Sequence, residues 1–200
     1  MTIEEFLQEL YRDELSDMFS GNRVNANIES RGRLLPLINI AMAYAYAKWK
    51  VKYSSEMLDV VEGTTEYTLA ATDVLSVIQI VNVYGIDVPQ SEYQVLGSTI
   101  YFPIPQTQTV EVIYKPKHVK YVEEQDDAFT ELDLPAMLVP WLKAYVCHRY
   151  FASMKTEGAL AKAADFLVQA QMCEAMFVDT NTTNEFTAPT NRKMAARGFA

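Results

Sequence analysis

The chain has 200 residues, half of them apolar, a formal net charge of -9 and two cysteines, which is enough for one domain, or one domain carrying an insertion, and too little sulfur for a disulfide framework. The acidic balance argues against a grip on nucleic-acid phosphates, which takes clustered Lys and Arg, while an acidic wall is compatible with lining a conduit through which DNA passes unbound. No apolar run reaches the roughly 20 residues that span a bilayer, and Glu4, Glu5 and Glu9 stand where an export signal carries positive charge, so folding in the cytoplasm without a membrane partner is expected.

The first predicted helix covers about residues 2–18: Thr2 can cap it, Glu5 follows three residues on, and Ile3, Phe6, Leu7 and Leu10 repeat on one face. Ser20-Gly21-Asn22 breaks it, and a polar stretch leads to a second helix over about 34–53 with Pro36 in its first turn, where a missing N–H costs little. Leu34, Leu37, Ile38, Ala41, Met42 and Ala45 form its stripe while Tyr44, Tyr46 and Trp49 add bulk elsewhere, so it is expected to pack on several sides. Over about 57–116, β-branched and aromatic residues alternate between turn clusters, which predicts strands at 57–61, 66–69, 77–84, 93–96, 99–102 and 109–114. Gly97-Ser98 marks a hairpin, and Pro103 and Pro105 stop its second strand.

A third helix is expected over about 135–154 behind Pro135, a tight turn at Gly158, and an Ala-rich fourth helix over about 159–177 that closes an antiparallel hairpin. On that hairpin Cys147 and Cys173 lie several turns apart, which predicts no disulfide. The fold class is α+β: a bundle of four helices with a closing hairpin and an inserted small antiparallel sheet or sandwich, one domain over 1–178. Residues 179–200 run through Thr180 to Asn184 and Pro189 without periodicity and predict an extended tail that orders on a partner, with Arg192, Lys193, Met194, Arg197 and Phe199 as the partner-binding residues.

Catalytic machinery is not visible. No serine stands in a Gly-x-Ser-x-Gly elbow, no Gly-rich loop leads from a strand into a helix, and neither cysteine has a partner at zinc spacing. Carboxylates crowd only between Glu123 and Asp133, where Asp126, Asp127 and Glu131 are the candidates for a small metal-dependent hydrolase; they lack the alternation and glycine of a calcium loop, so a solvated or partner-facing loop is the reading here. His118 and His148 are read as structural, and Tyr84, Tyr93, Tyr101 and Tyr114 as sheet packing. The expectation is a protein that is not an enzyme and needs no metal or cofactor.

A Tyr- and Ala-rich helix ending near Trp49, a strand, Glu66-Tyr67-Thr68-Leu69, the Val77 to Tyr84 strand, a closing hairpin from Pro140-Trp141-Leu142 to Met176 and the Arg192-Lys193-Met194 ending together resemble the head-to-tail adaptors of tailed-phage necks. Where that family usually has a proline after its x-Tyr-x-Leu motif, this chain has Ala70-Ala71. The resemblance implies a virion protein of the neck that forms a ring, typically of twelve copies, below the portal, extends the DNA channel and joins the capsid to tail or tail-hub proteins. A tail-completion or stopper protein of the same neck is the nearest alternative.

Overall fold

The computed structural model describes residues 1–16, 23–49, 51–122 and 130–196, with two compact units: residues 1–41 with 121–200, and residues 42–120. The class is α+β, with four α-helices and two small antiparallel sheets among the described residues.

In the first unit, α1 (Ile3–Arg12) begins on a capping box, Glu5 N–H donating to Thr2 Oγ1 at 3.2 Å and Thr2 N–H to Glu5 Oε2 at 2.8 Å. Ile3, Phe6, Leu7 and Leu10 are buried. The helix closes at Arg12, short of the predicted end at 18, because Asp13 caps it and ties the Arg12 side chain at 2.9 Å. α2 (Arg23–Lys48), whose residues from Met42 onward belong to the second unit, starts 11 residues before the predicted 34, which puts Pro36 inside the helix rather than in its first turn. An interior proline costs about 3 kcal/mol, and the burial of Leu34, Leu35 and Ile38 around it supplies the compensation.

α3 (Val139–Met154) and α4 (Glu157–Ala196) form the hairpin. Its turn falls at Lys155, in the left-handed region at φ 57°, and Thr156, whose hydroxyl accepts from Ala159 N–H at 3.4 Å. Gly158, expected to make that turn, lies in the first turn of α4. Trp141, Leu142, Cys147 and Phe151 of α3 are buried, as are Ala159, Ala163, Ala170 and Phe177 of α4, and the Phe151 and Phe166 rings stack at 5.7 Å across the seam.

The backbone of α4 stays helical to Ala196, through the segment for which composition predicts an extended tail. A helix already nucleated and packed gains one backbone hydrogen bond for each non-proline residue it adds, so propagation tolerates an Asn/Thr run that would not start a helix in isolation.

The second unit holds β1 (Ser54–Val60), β2 (Glu66–Thr68), β3 (Val74–Asn82), β4 (Gln94–Leu96), β5 (Thr99–Tyr101) and β6 (Gln108–Pro116). One antiparallel sheet has the order β1-β6-β3 and the other β2-β5-β4. β6 alternates strictly and turns Val110, Val112 and Tyr114 into a core shared with Val60, Leu69, Ile80, Ile100 and Phe102. The β4-β5 hairpin turns at Gly97-Ser98, with Leu96 opposite Thr99. Gly97 alone of the two has positive φ, 65°, the pattern of a type II′ turn whose twist matches the strands.

The Tyr67 and Leu69 positions of the x-Tyr-x-Leu motif have separate tasks here. The Tyr67 hydroxyl accepts from Val61 N–H at 2.7 Å and donates to the Val61 carbonyl at 3.1 Å, fixing the turn before β2, while Leu69 enters the core. The Ala70 and Ala71 N–H groups donate to the two Glu56 oxygens at 2.8 and 3.2 Å. A proline at 70 has no N–H to give, so alanine suits this chain's use of Glu56.

Candidate functional site

The acidic segment is anchored at both ends within the first unit. Asn39 of α2 grips the Tyr121 backbone twice, donating Nδ2–H to its carbonyl and accepting its N–H, each at 2.8 Å. The Tyr121 hydroxyl accepts from Asp133 N–H at 3.2 Å. Residues 130–132 pair with the N-terminus, Ile3 N–H donating to the Thr130 carbonyl at 2.9 Å and Leu132 N–H to the Met1 carbonyl at 3.0 Å. Glu131 is exposed and its backbone bridges Thr2, whereas Asp126 and Asp127 lie outside the described residues. Among the described residues no three His, Cys, Asp or Glu side chains converge as a metal-ligand set.

A second group of titratable side chains lies where α1 ends beside α3. Lys143 Nζ pairs with Glu9 at 2.5 Å. Glu14, half-buried, has an Oε2 atom that is buried without a hydrogen-bond partner, and burial pushes its carboxyl pKa up. This is a cost to the fold. Because the folded pKa lies above its ordinary 4.5, the charged form is the disfavoured one; the penalty is full above the raised value and vanishes as pH falls below about 4.5. Glu14→Met is therefore expected to raise the melting temperature at neutral pH, with the gap over wild type shrinking in acid. A gap that widens in acid would contradict this assignment.

The buried Cys147 thiol is pushed up to about 12, chiefly by desolvation and then by the Glu14 charge. It is an inert core thiol. Cys173, unpaired as well, is half-exposed on α4. A thiol reagent at pH 7.5 is expected to label Cys173 in the native protein and Cys147 only after denaturation; equal native labelling would place Cys147 at the surface. Next to it, His148 Nδ1 lies 2.9 Å from the Ala163 carbonyl and stitches α3 to α4, the structural role expected of it.

The four tyrosines divide. Tyr114 is in the sheet core and Tyr93 packs on it, its ring 6.4 Å from Phe102. Tyr101 is exposed, and Tyr84 is 83 % exposed at the end of β3, so sheet packing does not hold Tyr84. Asn82 instead builds a rigid tip, its Oδ1 accepting from Tyr84 and Ile86 N–H at 3.0 Å each, with Val83, Tyr84 and Ile86 outward.

Of the residues expected to bind a partner, Arg192, Lys193 and Met194 lie on the last turns of α4, while Arg197 and Phe199 are outside the described residues. Sequence reading missed the outer face of α4, whose apolar residues recur every four positions from Leu160; the Ala-rich composition concealed a second row behind the one facing α3.

Comparison with family models gives a match over residues 1–193 to the family described as SU10 adaptor protein. Comparison with curated proteins gives no match.

Proposed function

The chain belongs to the SU10 adaptor protein family, a family of phage head-to-tail adaptors, and on that footing we propose that it is a structural virion subunit that assembles as a ring, typically of twelve copies, below the portal, where it extends the DNA channel and joins the capsid to the tail. The observation that carries this reading is the family match across residues 1–193. Adaptors of this kind work by association and not by catalysis, which suits a chain whose His148 and Cys147 serve the core.

Three physical features support it. The hairpin of α3 and α4, closed by stacked Phe rings and an interhelical His148 contact, is a stiff element suited to a ring wall. A net charge of -9 repels the phosphates of DNA moving through a channel. The last residues reverse that sign, with Arg192, Lys193 and Arg197 beside Met194 and Phe199, a composition suited to an acidic, partly apolar surface on the portal. No helix among the described residues is long and apolar enough to cross a membrane.

Size-exclusion chromatography with light scattering, on the chain alone and mixed with its cognate portal, tests the reading. A stable complex with several adaptor copies per portal ring is expected. Binding only to an already completed portal-adaptor assembly would make the chain a stopper or tail-completion protein instead, and no binding to either would refute a place in the neck.

A further inference from the structure

One end of the β1-β6-β3 sheet gathers lysines that are far apart in the chain. Ser54 of β1 opposes Tyr114 of β6, and Val74 of β3 opposes Pro116, so the segments entering β1 and β3 lie beside the segment leaving β6. Lys52 stands two residues before β1, Lys115 in the last residues of β6, and Lys117 and Lys120 just beyond it. Lys117 N–H donates to the Asp73 carbonyl at 2.5 Å, and the His118 ring lies 5.5 Å from the Tyr46 ring, which holds the 117–120 segment at this end.

Lys52, Lys117 and Lys120 are exposed and Lys115 is half-buried. Among the described residues Lys115, Lys117 and Lys120 have no ion pair. Lys48 is engaged over the Tyr44 and Trp49 rings, so the patch rests on Lys115, Lys117 and Lys120 with Lys52 beside them. Of the acids near these strand ends, Glu56 gives its two carboxylate oxygens to the Ala70 and Ala71 N–H groups, and Asp73 is the other. Asp59 and Glu62 lie at the opposite end of the sheet, bonded to Thr109 and Thr107.

The cations here are all lysine, and residues 42–120 hold no arginine. Protein-binding surfaces have the reverse bias, with arginine enriched and lysine depleted. On the same face Ser76 opposes Lys115 and Ser55 opposes Ile113, both serines exposed, and lysine with hydroxyls is a set that meets phosphate oxygens. We propose that this lysine end of the sheet is a sequence-independent contact for the phosphate backbone of DNA. The proposal deepens the neck reading and rests on it only for bringing DNA within reach. Because the chain as a whole carries -9 and repels a polyanion elsewhere, the contact is local and weak, a brake on DNA and not a clamp. Three lysines that each displace a counterion give a fall of log K with log salt of slope about −3.

Binding of a short labelled DNA duplex of arbitrary sequence to the full chain, followed by fluorescence anisotropy from about 20 to 200 mM salt, tests the patch. Wild type is expected to bind at the low end and to lose affinity with that slope. Lys115→Gln/Lys117→Gln/Lys120→Gln should weaken binding about tenfold or more at low salt, with portal binding and melting temperature unchanged. Lys117→Gln/Lys120→Gln, which spares half-buried Lys115, keeps the test open if the triple variant does not fold: it should weaken binding severalfold and bring the slope to about −1. Arg192→Gln/Lys193→Gln, at the other basic site, should weaken DNA binding far less than the lysine variants do. A wild type that does not bind at low salt, or lysine variants that bind as wild type does, overturns the proposal. Poly-glutamate bound as tightly as DNA through the same lysines would make the occupant an acidic protein surface and overturn it as well. Portal capture is scored apart: a wild type that binds DNA and no portal sinks the neck reading alone, and one that binds portal and no DNA sinks the patch alone.

Discussion

Trp141→Ala is expected to lower stability by about 3–5 kcal/mol, because it removes a large ring from a site that cannot collapse onto the space left. Trp141 is 1 % exposed near the start of α3, with fully buried Leu138 and Leu142 as chain neighbours, and its ring stacks on Tyr145 at 5.2 Å. For a chain of this length each kcal/mol shifts the melting temperature by about 2–4 °C, so a fall of roughly 10 °C is the readout. Met172→Ala supplies the contrast, since an exposed side chain on the outer face of α4 should change stability by no more than about 0.5 kcal/mol. Equal losses from the two substitutions would mean that the outer face is covered in the monomer, and an unchanged melting temperature for Trp141→Ala would remove the hairpin from the core.

The same contrast explains what the sequence could and could not disclose. The start of α1 was readable because Thr2 and Glu5 form a capping box with a local signature, and the β4-β5 hairpin because Gly97-Ser98 must turn where it stands. Helix ends were not. Pro36 reads as a start and sits in an interior, and Gly158 reads as a turn and sits in a helix, because in both cases neighbouring turns outweigh a local preference. Lys155 takes the left-handed turn without the glycine that usually advertises one.

For the candidate surfaces the pattern is similar. Charge and apolar anchors at Arg192, Lys193 and Met194 stand out in a linear reading because the rest of the chain is acidic. The apolar row from Leu160 to Met176 does not, since a period of four on one face merges with the period of the opposite face into an apparently uniform Ala-rich helix. Only the burial of Ala159, Ala163 and Ala170 against the exposure of Leu160, Ala164 and Val168 separates them. The Tyr84 tip was hidden for a different reason: an aromatic at a strand end reads as packing until Asn82 is seen to turn the chain outward.

Removal of residues 178–200 is expected to spare folding and abolish docking to the portal. Among the described side chains of α4 the buried positions run from Ala159 to Phe177, and a chain ending there keeps those contacts with α3. What it loses is the basic end. Arg192, Lys193 and Arg197 carry three positive charges on a chain of net charge -9, and Met194 and Phe199 stand among them as the apolar residues a docking groove would take. Ion pairs at the rim of such a contact guide association and weaken with salt, because at 0.15 M the screening length is about 8 Å. Full-length chain should therefore bind portal rings less tightly as salt rises from 50 to 500 mM, and Arg192→Glu/Lys193→Glu should weaken binding at low salt while converging on wild type at high salt. The truncated chain should melt with the wild type and show no portal binding at any salt. Wild-type affinity in the truncated chain would move the docking surface off this segment; a truncated chain that no longer folds would instead make residues 178–200 part of the helix that holds the hairpin together, and the charge-reversal pair, which leaves that helix intact, then decides the question alone.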